Sequence, residues 1–445
     1  MFLDIEERKR KVGLFLLLAS LISVFMPFKI VAYVLPYVLL TVVMVLCPLK
    51  VMFVRLFIMI ISLVVYLSIW TVFYSDFILF NGLVSIFTWS GLLAALIIPS
   101  NIFSDVEFKN IWKWVVPISV LELLVGFSQA LFGFSRTGGF DGSTGDYIEG
   151  TIHLPLESSL SFSNPMFAVG LLILITYVVV QQFHSKNKSV LWLLAPLILL
   201  LLLCSVTHIT ILAIFSFLIA YFLVHRRRLL SARTVLVLCL MPIFIAFLGF
   251  IMPRNFSNIL NIFSDGAFFE GYKVLAWDYM FRELESPFGF GVGQLASKAA
   301  FMSSGLMHNG SISFFNDGNM SESFRQIIEP LWAFMNMDFK SPGSGQTPFS
   351  SWLGFISEFG VLAFIVIFLG LKKLLLVLSY EREGGRVYQY TLVALSLSIF
   401  LIGYQDLYWE SPQIIFAFAL TAKYMYSQVR KGLDVDEARY KKYVG

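Results

Sequence analysis

Two cationic side chains lie just before a glycine-rich stretch in the second half of the chain. Lys273 and Arg282 flank Trp277 at spacings of four and five residues, which places the three on roughly one side of a helix. Ser286-Pro287 is expected to end this helix, because proline pushes the residue before it out of the α region. The sequence therefore predicts a short helix that presents cations near its end.

Glycines at every second position follow this proline: Gly289, Gly291 and Gly293. Glycine lets the backbone come close to a ligand, and we expect unpaired amide N–H groups in this turn. Cations beside such a turn can hold a phosphate-like anion. A glycine-rich turn is also typical of a plain helix C-terminal cap, and the stretch lacks the lysine and hydroxyl positions of a P-loop.

Further candidate anion ligands lie in two polar segments. Arg136 is the only Arg or Lys of residues 133–158, and Arg254 and Arg325 lie in a later, longer segment. The planar fork of an arginine suits a phosphate-like anion, because it donates parallel hydrogen bonds. A solvated loop with surface ion pairs is the alternative explanation for Arg136.

Candidate proton-transfer groups are His208, His308 and Glu149, with His153 near the last of them. Histidine titrates near neutral pH, and a positioned carboxylate can also act as a general base. A satisfied polar cap at a helix turn explains His208 equally well, and a solvated loop explains His308. The sequence does not choose among these groups.

The composition predicts which kind of secondary structure positions these candidate residues. Of 445 residues, 58% are hydrophobic and 13% are charged, and the mean hydropathy is +0.81. Ordinary soluble domains are about 25% charged, so a water-soluble globule is excluded. Apolar runs long enough to cross a bilayer as helices predict an all-α polytopic membrane protein. A net charge of +4 is attributed to cytoplasmic loops and not to nucleic-acid binding.

The hydropathy pattern predicts about twelve transmembrane helices. They are expected near residues 13–28, 30–47, 56–74, 78–98, 113–132, 160–180, 190–206, 209–224, 234–252, 350–371, 389–405 and 412–428.

The distribution of Lys and Arg predicts that both termini are cytoplasmic, because the short loops on that side carry nearly all the cations. The regions are then N-terminal transmembrane helices (1–132), an outer loop (133–159), central transmembrane helices (160–252), a large periplasmic loop with short helices (253–349), and C-terminal transmembrane helices with a cytoplasmic tail (350–445).

Acidic residues within or at the end of the predicted spans are few, namely Glu122, Glu358 and Asp406. A charge at the centre of a membrane helix costs about 2.5–3.5 kcal/mol on insertion scales, so each of these residues needs a partner or water. The outer segments hold no cluster with metal-ligand spacing, and we expect neither a metal nor a cofactor.

Four stretches, in this order, resemble motifs of the O-antigen ligase and O-antigen polymerase superfamily of bacterial envelope polysaccharide enzymes. Arg136 with Gly138 or Gly139, followed by Asn164-Pro165, is similar to its outer-loop R…G…NP pattern. "SVTHITIL" is similar to its T-x-S-R helix turn, with His208 where an Arg is common.

The other two stretches lie around the large loop. "YKVLAWDYMFRELESPFGFGVG" resembles the family's R-x3-W…P-x-G-x-G segment, with Lys273 at the Arg position. "SSWLGFISEFGVLAF" resembles its HN-x-x-L…E-x-G helix, with Glu358 and Gly360 matching. The His-Asn that opens this motif, a key active-site feature of the ligases, is absent, which favours a polymerase.

The resemblance implies a metal-independent glycosyltransferase, similar to the GT-C class, in the bacterial cytoplasmic membrane. Its donor would be a polyprenyl-diphosphate-linked oligosaccharide, transferred to a second lipid-linked repeat unit to build lipopolysaccharide or exopolysaccharide. Arginines would stabilise the diphosphate leaving group. Membrane lipid and a chain-length regulator protein are the expected partners. Alternatives are a ligase that transfers glycan to lipid A core or protein, and a flippase or exporter of lipid-linked glycan.

Overall fold

The computed structural model describes residues 5–26, 29–137, 147–152, 163–184, 190–204, 207–224, 277–278, 280–282, 287–303, 321–328, 330, 350–379, 385–404 and 407–444. Four candidate residues lie outside these ranges, namely Lys273, Arg254, His308 and His153, and so does the predicted span 234–252. For His208 the helix is described but the side chain is not.

The described residues form helices and no strand. The α-helices are α1 (Ile5–Val24), α2 (Lys29–Leu46), α3 (Lys50–Phe73), α4 (Leu79–Thr88), α5 (Ser90–Ile97), α6 (Phe108–Thr137), α7 (Ser163–His184), α8 (Leu191–Leu203), α9 (Thr207–Val224), α10 (Lys298–Ser303), α11 (Ser351–Phe359), α12 (Val361–Ser379), α13 (Arg386–Ile402) and α14 (Pro412–Val444). Shorter helical turns cover Ser100–Phe103, Gly150–Ile152, Phe324–Ile328 and Tyr408–Glu410.

Each predicted span other than 234–252 coincides with a helix or with a pair of helices. Two spans predicted to be continuous are broken, and for them the prediction of one helix is wrong. The span 78–98 bends by 63° between α4 and α5. The span 350–371 breaks at Gly360, whose φ of +52° cannot continue a right-handed helix, and α12 then runs on to Ser379.

Helices that could cross a membrane are present. By length and composition, α3, α6, α7 and α12 each qualify, and the bent pair α4–α5 adds a fifth span if it counts as one. The protein is therefore an all-helical membrane protein in the part of the chain that the structure describes, and the arrangement in twelve spans stays a prediction.

Burial separates the centre of the bundle from its periphery. In the most apolar window of α7, 72% of the residues are buried, against 11% in α3 and in α12. The hydroxyls of Tyr177 on α7 and Thr421 on α14 are hydrogen-bonded at 3.1 Å in this interior. Helices α7 and α14 thus form the centre, while α3 and α12 expose apolar side chains as a lipid-facing surface does.

Cationic side chains fasten one end of the bundle. Lys423 on α14 donates hydrogen bonds to the carbonyls of Ala95 and Ile98 at the end of α5, which would otherwise lack partners. Arg55 on α3 donates to Leu96 O at 3.3 Å. This is the end of the bundle that the sequence predicts to be cytoplasmic.

The crossing of α5 and α14 depends on Gly91, because a Cβ there would collide with the backbone carbonyl of Pro412. We expect Gly91→Ala to lower the free energy of unfolding by about 1–3 kcal/mol through overpacking. Thermal unfolding of the purified protein in detergent measures it. Gly370→Ala on α12 is the matched control, because nothing lies within 4 Å of that position. Equal thermal unfolding midpoints for the two variants would contradict the close approach of α5 and α14 at Gly91.

Candidate functional site

The glycine-rich stretch forms a turn that packs against α4 and α11. Gly289, Gly291 and Gly293 have φ values of +87°, +89° and +80°, which favour glycine over every other residue. A Cβ at Gly289 would collide with the backbone of Glu358, and one at Gly293 with the carbonyl of Asn81. The glycines therefore let two backbones approach this turn.

Amide groups of the turn are bonded within the chain. Phe290 N donates to Ser357 O at 2.9 Å, and Gly291 N donates to Glu358 O at 3.2 Å. Val361 N, at the start of α12, donates to Pro287 O at 2.9 Å. The expectation of unpaired amides is wrong for Phe290 and Gly291, because the broken helix α11–α12 offers its own carbonyls to them.

The carboxylate of Glu358 is the centre of this arrangement. Gly293 N donates to Oε2 at 2.7 Å, and the amides of Leu295 and Ser297 donate to Oε1 at 3.0 and 3.2 Å. Glu358 is fully buried. Both oxygens accept hydrogen bonds from amides, which favours the ionised form of the carboxyl group against the cost of burial. The amide cradle expected for an external anion, Gly293 included, is thus occupied by an anion of this chain.

A second buried carboxylate, Glu410, lies beside the first. Lys298 N donates to its Oε2 at 2.7 Å, one residue after the last amide bound to Glu358, and Thr88 Oγ1 donates at 3.4 Å. Its Oε1 has no hydrogen-bond partner in the described part of the chain. Burial raises the pKa of Glu410 well above its usual value, and the negative charge of Glu358 raises it further. The raised pKa favours the protonated form of Glu410.

Aromatic side chains from the end of α3 cover the turn. Tyr66 donates from its hydroxyl to Glu358 O at 3.4 Å, and its ring lies 5.9 Å from that of Phe359. Trp70 stacks on Tyr74 at 4.0 Å between ring centroids. The carboxylates are thus shielded on the side of α3, which places the buried charge in a low-dielectric setting.

Arg282 and Arg325, the two predicted cations of residues 253–349 that the structure describes, lie on the surface. Arg282 is exposed and paired with Asp278 at 2.6 Å, in an i,i+4 geometry. Phe281, next to it in sequence, and Phe288 in the glycine-rich turn are 60% and 53% exposed. Arg325 is exposed on the turn Phe324–Ile328. Arg282 is thus a surface residue with an exposed aromatic neighbour in sequence.

The predicted outer loop contributes a separate set of contacts. Arg136 is exposed near the end of α6 and lies over the ring of Phe132 at 5.0 Å. Glu149 is buried, and its amide donates to Gln129 Oε1 at 3.0 Å. Glu122 accepts from Thr151 N at 3.0 Å. The prediction that buried ionisable residues need partners is confirmed for Glu122 and Glu358, both of which accept from backbone amides; Asp406 lies outside the described residues.

The structure brings the three glycines together with Glu358, although about 65 residues separate them in sequence. The two predicted cationic patches, one around Arg136 and one around Arg282, do not lie next to the same apolar cluster. Ile148 and Ile152, next to Glu149, pack in the large cluster of the bundle, whereas Met280 packs with Leu295 and Phe324 in a second, smaller one. The convergence of Arg136 and Arg282 on one cavity stays a prediction.

Sequence reasoning missed Glu410 and Gln129. The available signal for Glu410 was an acidic residue directly before the apolar run of α14, in "YWESP". For Gln129 it was the seven-residue spacing from Glu122, which places both on one face of α6. Among the described residues, no group of three or more His, Cys, Asp or Glu could hold a metal ion.

Comparison with known proteins identifies no relative: no family model, no curated protein and no solved structure matches this chain.

Replacing the Glu358 carboxylate tests its role as the acceptor for the turn. We expect Glu358→Gln to lower the free energy of unfolding by about 3 kcal/mol, because an NH2 group would then face an amide N–H and leave buried donors unpaired. Thermal unfolding in detergent measures this, with exposed Glu6→Gln as the control. A Glu358→Gln variant as stable as the wild type would show that the residue is not an ionised acceptor.

The protonation of Glu410 makes stability depend on pH. The folded state keeps a proton that the unfolded chain releases above pH 4.5, so stability falls as pH rises from there, by up to about 1.4 kcal/mol per pH unit. Glu410→Gln carries a neutral amide at every pH and should lack this loss. Unfolding of both proteins between pH 5 and 8 measures the difference. If the stability of the two proteins changed with pH in the same way, the pKa of Glu410 would not be raised.

Proposed function

We propose that this protein is a metal-independent glycosyltransferase of the bacterial cytoplasmic membrane, with twelve spans and both termini in the cytoplasm. It polymerises polysaccharide by transferring a polyprenyl-diphosphate-linked glycan to a second lipid-linked repeat unit. The observation that carries the proposal is the packing of Gly289–Gly293 against Ser357–Gly360. These are the segments that resemble the P-x-G-x-G and E-x-G motifs of the O-antigen polymerase and ligase superfamily.

The contact between these segments supports the resemblance, because nothing in the spacing of two short motifs requires them to touch. The Glu of one motif accepts the amide of the last glycine of the other at 2.7 Å. The Gly of E-x-G has no room for a Cβ, because the carbonyl of Pro287 lies there. The matched glutamate and the matched glycines thus all contribute to one packed contact between the two segments.

In this proposal the turn is a scaffold, and the charged ligand of the diphosphate is Arg282. The turn begins five residues after Arg282 and is anchored to Glu358. The exposed rings of Phe281 and Phe288 enter the outer membrane interface. A diphosphate head group lies at that depth, where a guanidinium fork can neutralise the charge that develops on the leaving group.

The acceptor hydroxyl requires a base, and the proposal keeps Glu149, His208 and His308 as candidates. Glu149 is held close to the end of α6 that carries Arg136, through the bond of its amide to Gln129. Arg136, Lys273, Arg254 and Arg325 are further diphosphate ligands in this proposal. A chain-length regulator protein is the proposed partner.

The activity is tested by reconstitution. A strain from which the gene is deleted should accumulate the lipid-linked repeat unit, and this extracted lipid is the substrate for proteoliposomes containing the purified protein and EDTA. A ladder of lipid-linked products that grows with time supports a polymerase. Transfer only to added lipid A core or protein indicates a ligase, and movement of the glycan across the bilayer without a new bond indicates a flippase.

Arg282 is the decisive residue in this assay. We expect Arg282→Ala to lower the initial rate by about 10²–10³-fold, the range for loss of one donor to a developing charge. Arg282→Lys should restore little, because a point charge does not reproduce the fork. Lys109→Ala, an exposed cation near the start of α6, is the control. A wild-type rate for Arg282→Ala in a folded protein would remove Arg282 from the site.

A further inference from the structure

An open cavity lies at the start of α3, far along the chain from the proposed active site. It has a volume of about 590 Å³ and is lined by Pro48, Lys50, Phe53, Val54 and Phe57. The α3 positions recur at three, four and seven residues from Lys50, so they form one face of the helix. The cavity is therefore an apolar trough with a lysine at its end.

The apolar wall is accessible. Phe53, Val54 and Phe57 are 48%, 46% and 65% exposed, and α3 as a whole is one of the two least buried candidate spans. A surface of this kind faces lipid chains when α3 crosses a bilayer. The wall alone fits any acyl chain, so the lysine must determine which lipid is held.

Lys50 is exposed, and no carboxylate of the described residues pairs with it. Two cations of α1, Lys9 and Arg8, act electrostatically on Cys47, the residue before Pro48 of the cavity wall. The acidic Glu7 of the same helix is neutralised by Lys11 at 2.9 Å. The rim of the cavity is therefore positive.

The cavity lies at the basic end of the bundle. Arg55, just after Lys50 on α3, donates to Leu96 O, and Lys423 donates to the neighbouring carbonyl of Ile98. Basic pockets between membrane helices on the cytoplasmic side suit anionic lipid head groups. The position of the cavity, the positive charge at its rim and its apolar wall thus all favour an anionic lipid.

We propose that this cavity binds one anionic glycerophospholipid of the surrounding membrane. The phosphate lies against Lys50 within the field of Arg8 and Lys9, and an acyl chain lies along Phe53, Val54 and Phe57. The site is independent of the glycosyl-transfer site proposed above, and its occupant is a resident lipid and not a substrate.

Native mass spectrometry of the full-length protein in detergent tests the site. Phosphatidylglycerol and phosphatidylcholine with identical acyl chains are titrated separately, and we expect phosphatidylglycerol to bind about tenfold more tightly. Lys50→Gln should weaken phosphatidylglycerol binding about fivefold, which corresponds to the loss of one lysine at a membrane surface, and should leave phosphatidylcholine binding unchanged. Lys113→Gln, an exposed lysine on α6 outside the cavity, should change neither.

Two further measurements distinguish a lipid from a soluble anion and test the apolar wall of the cavity. Glycerol 3-phosphate should not compete with phosphatidylglycerol at equal concentration, because it has no acyl chain for the trough. Phe57→Ser should weaken both phospholipids. Equal binding of the two lipids, wild-type affinity in Lys50→Gln, or competition by glycerol 3-phosphate would each overturn the proposal. Unchanged unfolding midpoints of the variants show that they are folded.

Discussion

The burial of the Glu358 carboxylate is the constraint on which the packing of the glycine-rich turn, α4 and α11 depends. A buried carboxylate is stable only if its oxygens accept hydrogen bonds, and here the amides of Gly293, Leu295 and Ser297 supply them. Alternate amides of one segment can reach one carboxylate only if the backbone curves around it. The positive φ angles at Gly289, Gly291 and Gly293 bring the segment to that position.

The same constraint explains why two membrane helices are broken. The break at Gly360 exposes the carbonyls of Ser357 and Glu358, which would otherwise accept within a continuous helix, and the turn satisfies them. The bend at Trp89 brings Thr88 within 3.4 Å of Glu410. Irregular backbone at membrane depth occurs where protein buries it. The breaks, the glycines and the two carboxylates are therefore parts of one structure.

Much of the helical architecture could be predicted from the sequence, because apolar length and the placement of Lys and Arg depend on local composition alone. The ends of α2, α7 and α13 lie within a few residues of the predicted spans. The breaks at Trp89 and Gly360 could not be predicted, because each depends on a partner that is distant in sequence. The sequence predicts an amide cradle for an external anion, which is wrong, because spacing cannot reveal that the amides bind Glu358, about 65 residues further on.

Because the carboxylate of Glu358 occupies the amides of the turn, these amides do not bind an external anion. An amide nest open to solvent would bind a diphosphate directly, whereas this one uses its hydrogen bonds to hold the chain in place. In the proposed function, the charge for a diphosphate comes from side chains nearby, and Arg282 is the exposed guanidinium closest in sequence to the turn. Its present partner, Asp278, is also exposed, and exposed pairs of this kind contribute about 0–1 kcal/mol. A diphosphate with two negative charges would therefore displace Asp278 at little cost, while the turn stays bound to Glu358.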